Sequence, residues 1–139
     1  MPKDAKYILD SFAVLAYFQA EAGGEQVRDI LKEASSGQAE VLLSAISLGE
    51  IYYISSRKRG EETARTVVED MMLLPLSIVA ASTERVLAAA EVKANHPISY
   101  ADAFVVAAAE EFSATIVTGD PEFNEVEAKE GILRIGRRV

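Results

Sequence analysis

At 139 residues the chain has the length of one domain with a core of its own, and its half share of hydrophobic residues marks a globular protein rather than a disordered one. It contains no cysteine, which excludes disulfides, zinc–thiolate centres and thiol nucleophiles. The formal charge of −8, from 14 basic and 22 acidic side chains, counts against non-specific nucleic-acid binding through a basic surface. It leaves room for an enzyme that meets nucleic acid through bound metal and a few local cations.

The opening stretch MPKDAKYILD lacks an extended apolar run ending in a small-residue cleavage site. The longest apolar run, AFVVAAA at 103–109, is far too short to span a bilayer. The expectation is a cytoplasmic protein with no membrane association. No linker, repeat or low-complexity tract divides the chain, so residues 1–139 read as a single domain.

Along the chain, short β-type runs alternate with helical patterns. Tyr7–Leu9 reads as a first strand, with a helix starting at Ser11. Gly23-Gly24 reads as a helix-entry turn, and Val27, Ile30, Leu31 and Ala34 mark the helix that follows. Val41–Leu43 is a second strand. Ala64, Val67, Val68, Met71 and Met72 mark another helix, stopped by Pro75. Leu76–Val79 is a third strand, and Val86, Leu87 and Ala90 mark a helix after it. Asp102–Ala109, apolar on nearly every face, predicts a well-buried helix. Thr115–Thr118 is a fourth strand and Ile132–Ile135 a candidate fifth. Strand alternating with helix is the pattern of a parallel sheet covered by helices. The predicted fold is a three-layer α/β/α sandwich around a mostly parallel sheet of four to five strands.

Four carboxylates stand where an apolar strand ends or a helix begins: Asp10, Glu50, Asp102 and Asp120. Each has a simple capping explanation. Ser47-Leu48-Gly49-Glu50 and Ser99-Tyr100-Ala101-Asp102 both fit the capping box. Asp10 can cap the helix at Ser11, and Asp120 before Pro121 fits an N-cap with proline at the first helical position. Taken singly, capping is the simpler account of each. Taken together they say more: the two strand-end positions carry acids where Ser, Thr or Asn would cap as well, and both capping boxes carry an acid where Gln would serve. Right-handed crossovers place strand ends on one edge of a parallel sheet, where such sheets collect their ligands. Four acids converging there would make a pocket suited to a hard divalent cation with oxygen ligands, Mg²⁺ or Mn²⁺.

Residues Ile8–Asp10, Ser44–Glu50, Ser99–Ala109 and Thr118–Phe123 together resemble, in order, the four motif blocks of PIN-domain ribonucleases. The likeness runs from Tyr7 to Phe123 and is greatest to VapC-type toxins of toxin–antitoxin pairs. Thr-Gly-Asp-Pro-Glu-Phe and the Ser-x-x-Asp helix start are its more specific blocks. One departure is visible: such toxins often carry a small hydroxyl residue two places after the first Asp, where this chain has Phe12, although Ser11 keeps a hydroxyl adjacent. The resemblance implies a PIN-like fold and a metal-dependent endoribonuclease acting as a toxin. It also implies an RNA substrate, a protein antitoxin bound near the active site and a homodimer. Asp10, Glu50, Asp102 and Asp120 would then be the catalytic, Mg²⁺- or Mn²⁺-binding acids, with Glu122 an outer ligand, although a solvated turn residue beside Pro121 explains Glu122 equally well. Ser11 and Thr118 would orient these ligands by hydrogen bonds, although a strand end explains Thr118, and a helix's first turn Ser11, equally well.

One or two hard cations can supply what phosphodiester hydrolysis needs without a protein acid or base. His96 is the only histidine, so a two-histidine mechanism is excluded, and Asn95-His96-Pro97 reads as a turn. No glycine-rich phosphate loop occurs. Arg57-Lys58-Arg59 reads as a solvated helix end, with contact to RNA phosphates as the lesser reading, and Arg137-Arg138 as a soluble tail. Ile51, Tyr52, Tyr53 and Ile54 cannot all be buried by one helix against one sheet face, so part of this stretch is expected at the surface as a partner site. Two alternatives remain. A phosphoacceptor signalling domain would have adjacent acids after the first strand and a lysine after a late one, whereas here Asp10 adjoins Ser11 and Thr118-Gly119-Asp120 has no lysine. A catalytically inert PIN-like scaffold would not need acids at all four places.

Overall fold

Apolar residues on both faces of successive strands require cover on both sides of a sheet, and that requirement sets the architecture. The computed structural model describes residues 5–126 and 128–136. The cleavage-site reading of Met1–Asp4 and the tail reading of Arg137-Arg138 lie outside those residues. Among the described residues the chain runs β1 (Ala5–Leu9), α1 (Ser11–Phe18), α2 (Gly24–Ser35), β2 (Ala39–Ser44), α3 (Ala45–Arg59), α4 (Glu61–Met71), β3 (Ser77–Val79), α5 (Thr83–Asn95), α6 (Tyr100–Phe112), β4 (Thr115–Thr118), a 3₁₀ turn (Pro121–Glu125) and β5 (Ile132–Arg134).

The strands form one sheet in the order β3-β2-β1-β4-β5, and every pairing is parallel. The candidate fifth strand is therefore real, and the sheet is wholly rather than mostly parallel. Side chains alternate across it as strand geometry demands. Ile8, Leu42 and Ile116 pack with α5 and α6 on one face. Leu9, Val41, Leu43 and Val117 pack on the other with α1, α2, Ile51 of α3 and Met71 of α4. This is the expected α/β/α sandwich.

Two local expectations are corrected. Ser47 does not cap a helix: α3 begins at Ala45, directly after the last residue of β2, and its N-cap is Ser44, whose hydroxyl accepts from the Ile46 N–H at 3.1 Å. The strand ends directly in the helix with no intervening loop, which moves Ser47 into the first turn and Glu50 into the second. On α5, periodicity predicts Leu87 on the apolar face, but it is 65% exposed, while Ala89 is fully buried. The close α5–α6 hairpin selects the small side chain for its seam and leaves the large one outside. The α3 stretch behaves as expected, with Ile51 buried and Tyr53 exposed, its ring under the Arg57 guanidinium at 5.2 Å.

The order of the strands locates the site. From β1 the chain moves outward to β2 and β3, then returns across the sheet through α5 and α6 to β4 and β5 on the other side. Strand order therefore reverses between β1 and β4, the switch point at whose carboxyl edge open parallel sheets bind ligands.

Candidate active site

Asp10 and Thr118 stand at the carboxyl ends of β1 and β4, adjoining strands whose ladder ends at Leu9 and Val117. The Asp10 N–H continues the ladder to the Val117 carbonyl at 3.3 Å. Asp10 is also the N-cap of α1, one carboxylate oxygen accepting from the Ala13 N–H at 2.8 Å. Its other oxygen accepts a hydrogen bond from the Thr118 hydroxyl, and that hydroxyl accepts from the Asp120 N–H at 2.9 Å. Capping and site-building are thus combined in one side chain. Burial in this position pushes the Asp10 carboxyl up to about 7, against the lowering effect of the Thr118 and Ala13 hydrogen bonds, with the charges of Asp120 and Glu50 adding to the rise.

Asp120 caps the 3₁₀ turn, accepting from the Glu122 N–H at 2.9 Å, with Pro121 next in line. The turn projects Glu122 back toward the start of α6. There Ser99 is the N-cap, its hydroxyl accepting from the Asp102 N–H at 3.2 Å. Only this half of the predicted capping box involves Asp102. Ser99 also stands beside the Glu122 carboxylate and helps to lower it.

Asp102, Asp120 and Glu122 offer oxygens that all lie within 4.8 Å of one another. Asp10 and Glu50 stand outside this tight trio. Asp10 is close enough to raise Asp102 by its charge, and Glu50 is raised chiefly by partial burial, with Asp120 and Glu122 adding to it and the Ser11 hydroxyl opposing. All four predicted acids therefore occupy one neighbourhood. Glu122, expected to be an outer residue, sits in its tightest part. Its signal was present in the turn Asp-Pro-Glu, but the direction of a side chain on a 3₁₀ turn depends on what packs behind it, here the buried Phe123.

Burial, then the neighbouring Glu122 carboxylate, push Asp102 well above the usual carboxylate range, while the proximity of Asp102 lowers Glu122. The donor set is wholly carboxylate oxygen. None of the ion pairs among the described residues involves any of the five acids. Such a set fits a hard divalent cation, whose charge would offset the burial and like charge that raise Asp10 and Asp102.

The remaining candidates fall elsewhere. His96 is half-buried in the α5–α6 turn, its Nδ1 at 3.0 Å from the Val92 carbonyl, consistent with the turn reading. Gly23 adopts a φ of +96° at the N-cap of α2, the helix-entry role expected of it. Arg57, Lys58 and Arg59 occupy the exposed last turn of α3.

Residues 7–129 match the PIN domain, and the chain belongs to the PIN-domain family. Solved structures share its fold. A DNA-bound VapBC complex from Salmonella typhimurium aligns with a TM-score of 0.71 at 18% identity, covering 92% of this chain and 97% of that one. VapBC2 from Rickettsia felis, bound to a promoter DNA fragment, aligns with a TM-score of 0.69 at 20% identity, covering 92% and 96%. VapC20 from Mycobacterium tuberculosis, described as a toxin that cleaves the sarcin–ricin loop, aligns with a TM-score of 0.67 at 18% identity, covering 89% and 98%. No curated protein matches the sequence. Among the described residues no helix is long and apolar enough to cross a membrane.

Proposed function

We propose that this protein is a Mg²⁺- or Mn²⁺-dependent endoribonuclease of the VapC type, the toxin of a toxin–antitoxin pair. The observation that carries the reading is the gathering of carboxylates from β1, α3, α6 and the β4 turn at the switch point of a PIN-domain sheet. The VapBC relatives in fold support the toxin assignment, and the RNA-cleaving one supports the substrate.

Asp102, Asp120 and Glu122 would hold the cation, with Asp10 and Glu50 completing its surroundings. When bound, the cation supplies neutralisation of the scissile phosphate and a more acidic attacking water. The chain's own residues hold the donors still. Thr118 fixes Asp10 from one side and the Asp120 main chain from the other, and the Ala13 N–H holds the second Asp10 oxygen. Preorganisation of this kind keeps ligand geometry fixed without large movement on binding. No neutral histidine is needed for proton transfer. A cytoplasmic homodimer held inactive by a protein antitoxin completes the proposal, with Tyr53 and its neighbours on α3 as part of the partner surface.

The test is cleavage of RNA by the purified chain with Mn²⁺ or Mg²⁺, against an EDTA arm and the Asp102→Asn variant. Cleavage should require the cation and vanish in the variant. Equal cleavage in EDTA, or by the variant, would overturn the reading.

A further inference from the structure

Two residues outside the acid cluster touch the short segment Gly119–Asp120 that carries it. Phe12 lies in the first turn of α1, two residues after Asp10, and is 41% exposed. It belongs to neither core cluster. Its ring rests against Gly119 so closely that any side chain there would meet it. An exposed aromatic ring in the turn after Asp10 adds little to folding, but it stands against the segment that carries Asp120.

Arg134, the last residue of β5, pairs in register with Thr118. Its Nη1 donates to the Asp120 carbonyl at 3.2 Å, and among the described residues no carboxylate lies within ion-pair distance of it. One hydrogen bond anchors the guanidinium and leaves further donors of its planar fork for another partner. The side chain lines a cavity of about 290 Å³ together with Gly119, Pro121 and Asn124. In a protein of net charge −8, a half-buried arginine so placed is a local counterpart for a polyanion.

We propose that Phe12 and Arg134 form a nucleotide subsite for single-stranded RNA beside the acids, the ring stacking a base and the guanidinium holding a phosphate. This rests on the ribonuclease reading and deepens it. Stacking on a ring tolerates any base, because every base has a π-face, whereas a phosphate contact releases counterions and so makes binding salt-dependent. The two residues therefore leave different signatures.

The experiment measures binding of a fluorescein-labelled, randomised RNA pool about 15 nucleotides long, within the span that a single-strand groove tracks, to the full chain with Mg²⁺ across a salt series. Asp102→Asn is the cleavage-silent parent, and cleavage of the same pool by the wild-type chain is followed alongside. Phe12→Leu, which keeps an apolar side chain over Gly119, should weaken binding at least about fivefold with the salt slope unchanged. Phe12→Trp should retain affinity. Arg134→Gln should weaken binding and flatten the slope of log affinity against log salt by about 0.7, and Arg134→Lys should restore the slope. Melting temperatures of all variants exclude a loss through unfolding. If the parent binds and both Phe12→Leu and Arg134→Gln bind as it does, the subsite is wrong while the ribonuclease reading stands. If the wild-type chain neither binds nor cleaves the pool, that reading falls and takes the subsite with it.

Discussion

The Thr118 hydroxyl donates to the Asp10 carboxylate and accepts from the Asp120 backbone N–H, so one fully buried side chain ties the end of β1 to the turn after β4. Thr118→Val keeps the shape and removes both bonds, leaving a buried carboxylate oxygen and an N–H without their partners. A loss of about 1–3 kcal/mol is expected. Thr118→Ser should recover most of it. Urea denaturation of the three proteins measures the difference, and equal stability of Thr118→Val and wild type would remove Thr118 from this role.

The raised Asp10 carboxyl sets the pH dependence of the metal-free protein. Its folded value of about 7 lies above the ordinary 3.8, so the folded state holds the proton more tightly than the unfolded chain. The associated stability is complete below about pH 4, declines as pH rises between the two values, and is gone above the folded one. Across that window the decline from Asp10 approaches about 1.4 kcal/mol per pH unit. Asp102, raised as well, extends it to higher pH. Asp10→Asn should flatten the lower part of the curve and raise metal-free stability at neutral pH. Denaturation midpoints in EDTA from about pH 4 to about pH 8 check this, and a stability that rises over the range contradicts it.

Divalent cation should reverse that loss by binding the folded state alone. At a free concentration one hundred times its dissociation constant the gain is about 2.7 kcal/mol. Melting temperature should rise with Mn²⁺ at neutral pH and much less near about pH 4, where the acids are protonated. Glu122→Gln, which removes one member of the tight trio, should shrink the shift. A wild-type melting curve unmoved by Mn²⁺ at neutral pH would leave Asp10 and Asp120 as caps only and the cluster without a metal role.

Gly119 has no room for a side chain. A Cβ there would lie 2.8 Å from the Ile135 carbonyl oxygen and collide with the Phe12 ring. Gly119→Ala should cost about 1–3 kcal/mol through overpacking, and adding Phe12→Ala should return part of it, since the ring is the more movable obstacle. A double-mutant cycle read by urea denaturation gives the coupling, and strict additivity would place the strain elsewhere.

Ser47 and Ser55 are buried on α3, and neither hydroxyl has a hydrogen-bond partner among the described residues. Ser55→Ala should therefore be neutral or stabilising by up to about 1 kcal/mol. A clear loss in thermal melting would mean that the hydroxyl has a partner in solution.

Sequence alone determined the architecture, because it rests on local and periodic properties. Apolar runs such as Tyr7–Leu9 and Thr115–Thr118, separated by helical patterns, leave few arrangements other than a covered parallel sheet. The same runs located Asp10 and Asp120, since a carboxylate directly after a buried strand has one edge on which to emerge. Periodicity could not say which part of an apolar helix faces inward once two helices pack closely, and Leu87 and Ala89 exchanged places for that reason. Nor could it separate Ser44 from Ser47 as a cap, because a strand running straight into a helix leaves no loop residues to mark the boundary. Tertiary structure alone decided that Glu122 comes to stand beside Ser99 and Asp102. Those residues lie far apart in the chain, and their pairing depends on how the β4 turn docks on α6. The raised Asp10 and Asp102 follow from the same cause: burial and like charge act through space, and neither is written in the order of the residues.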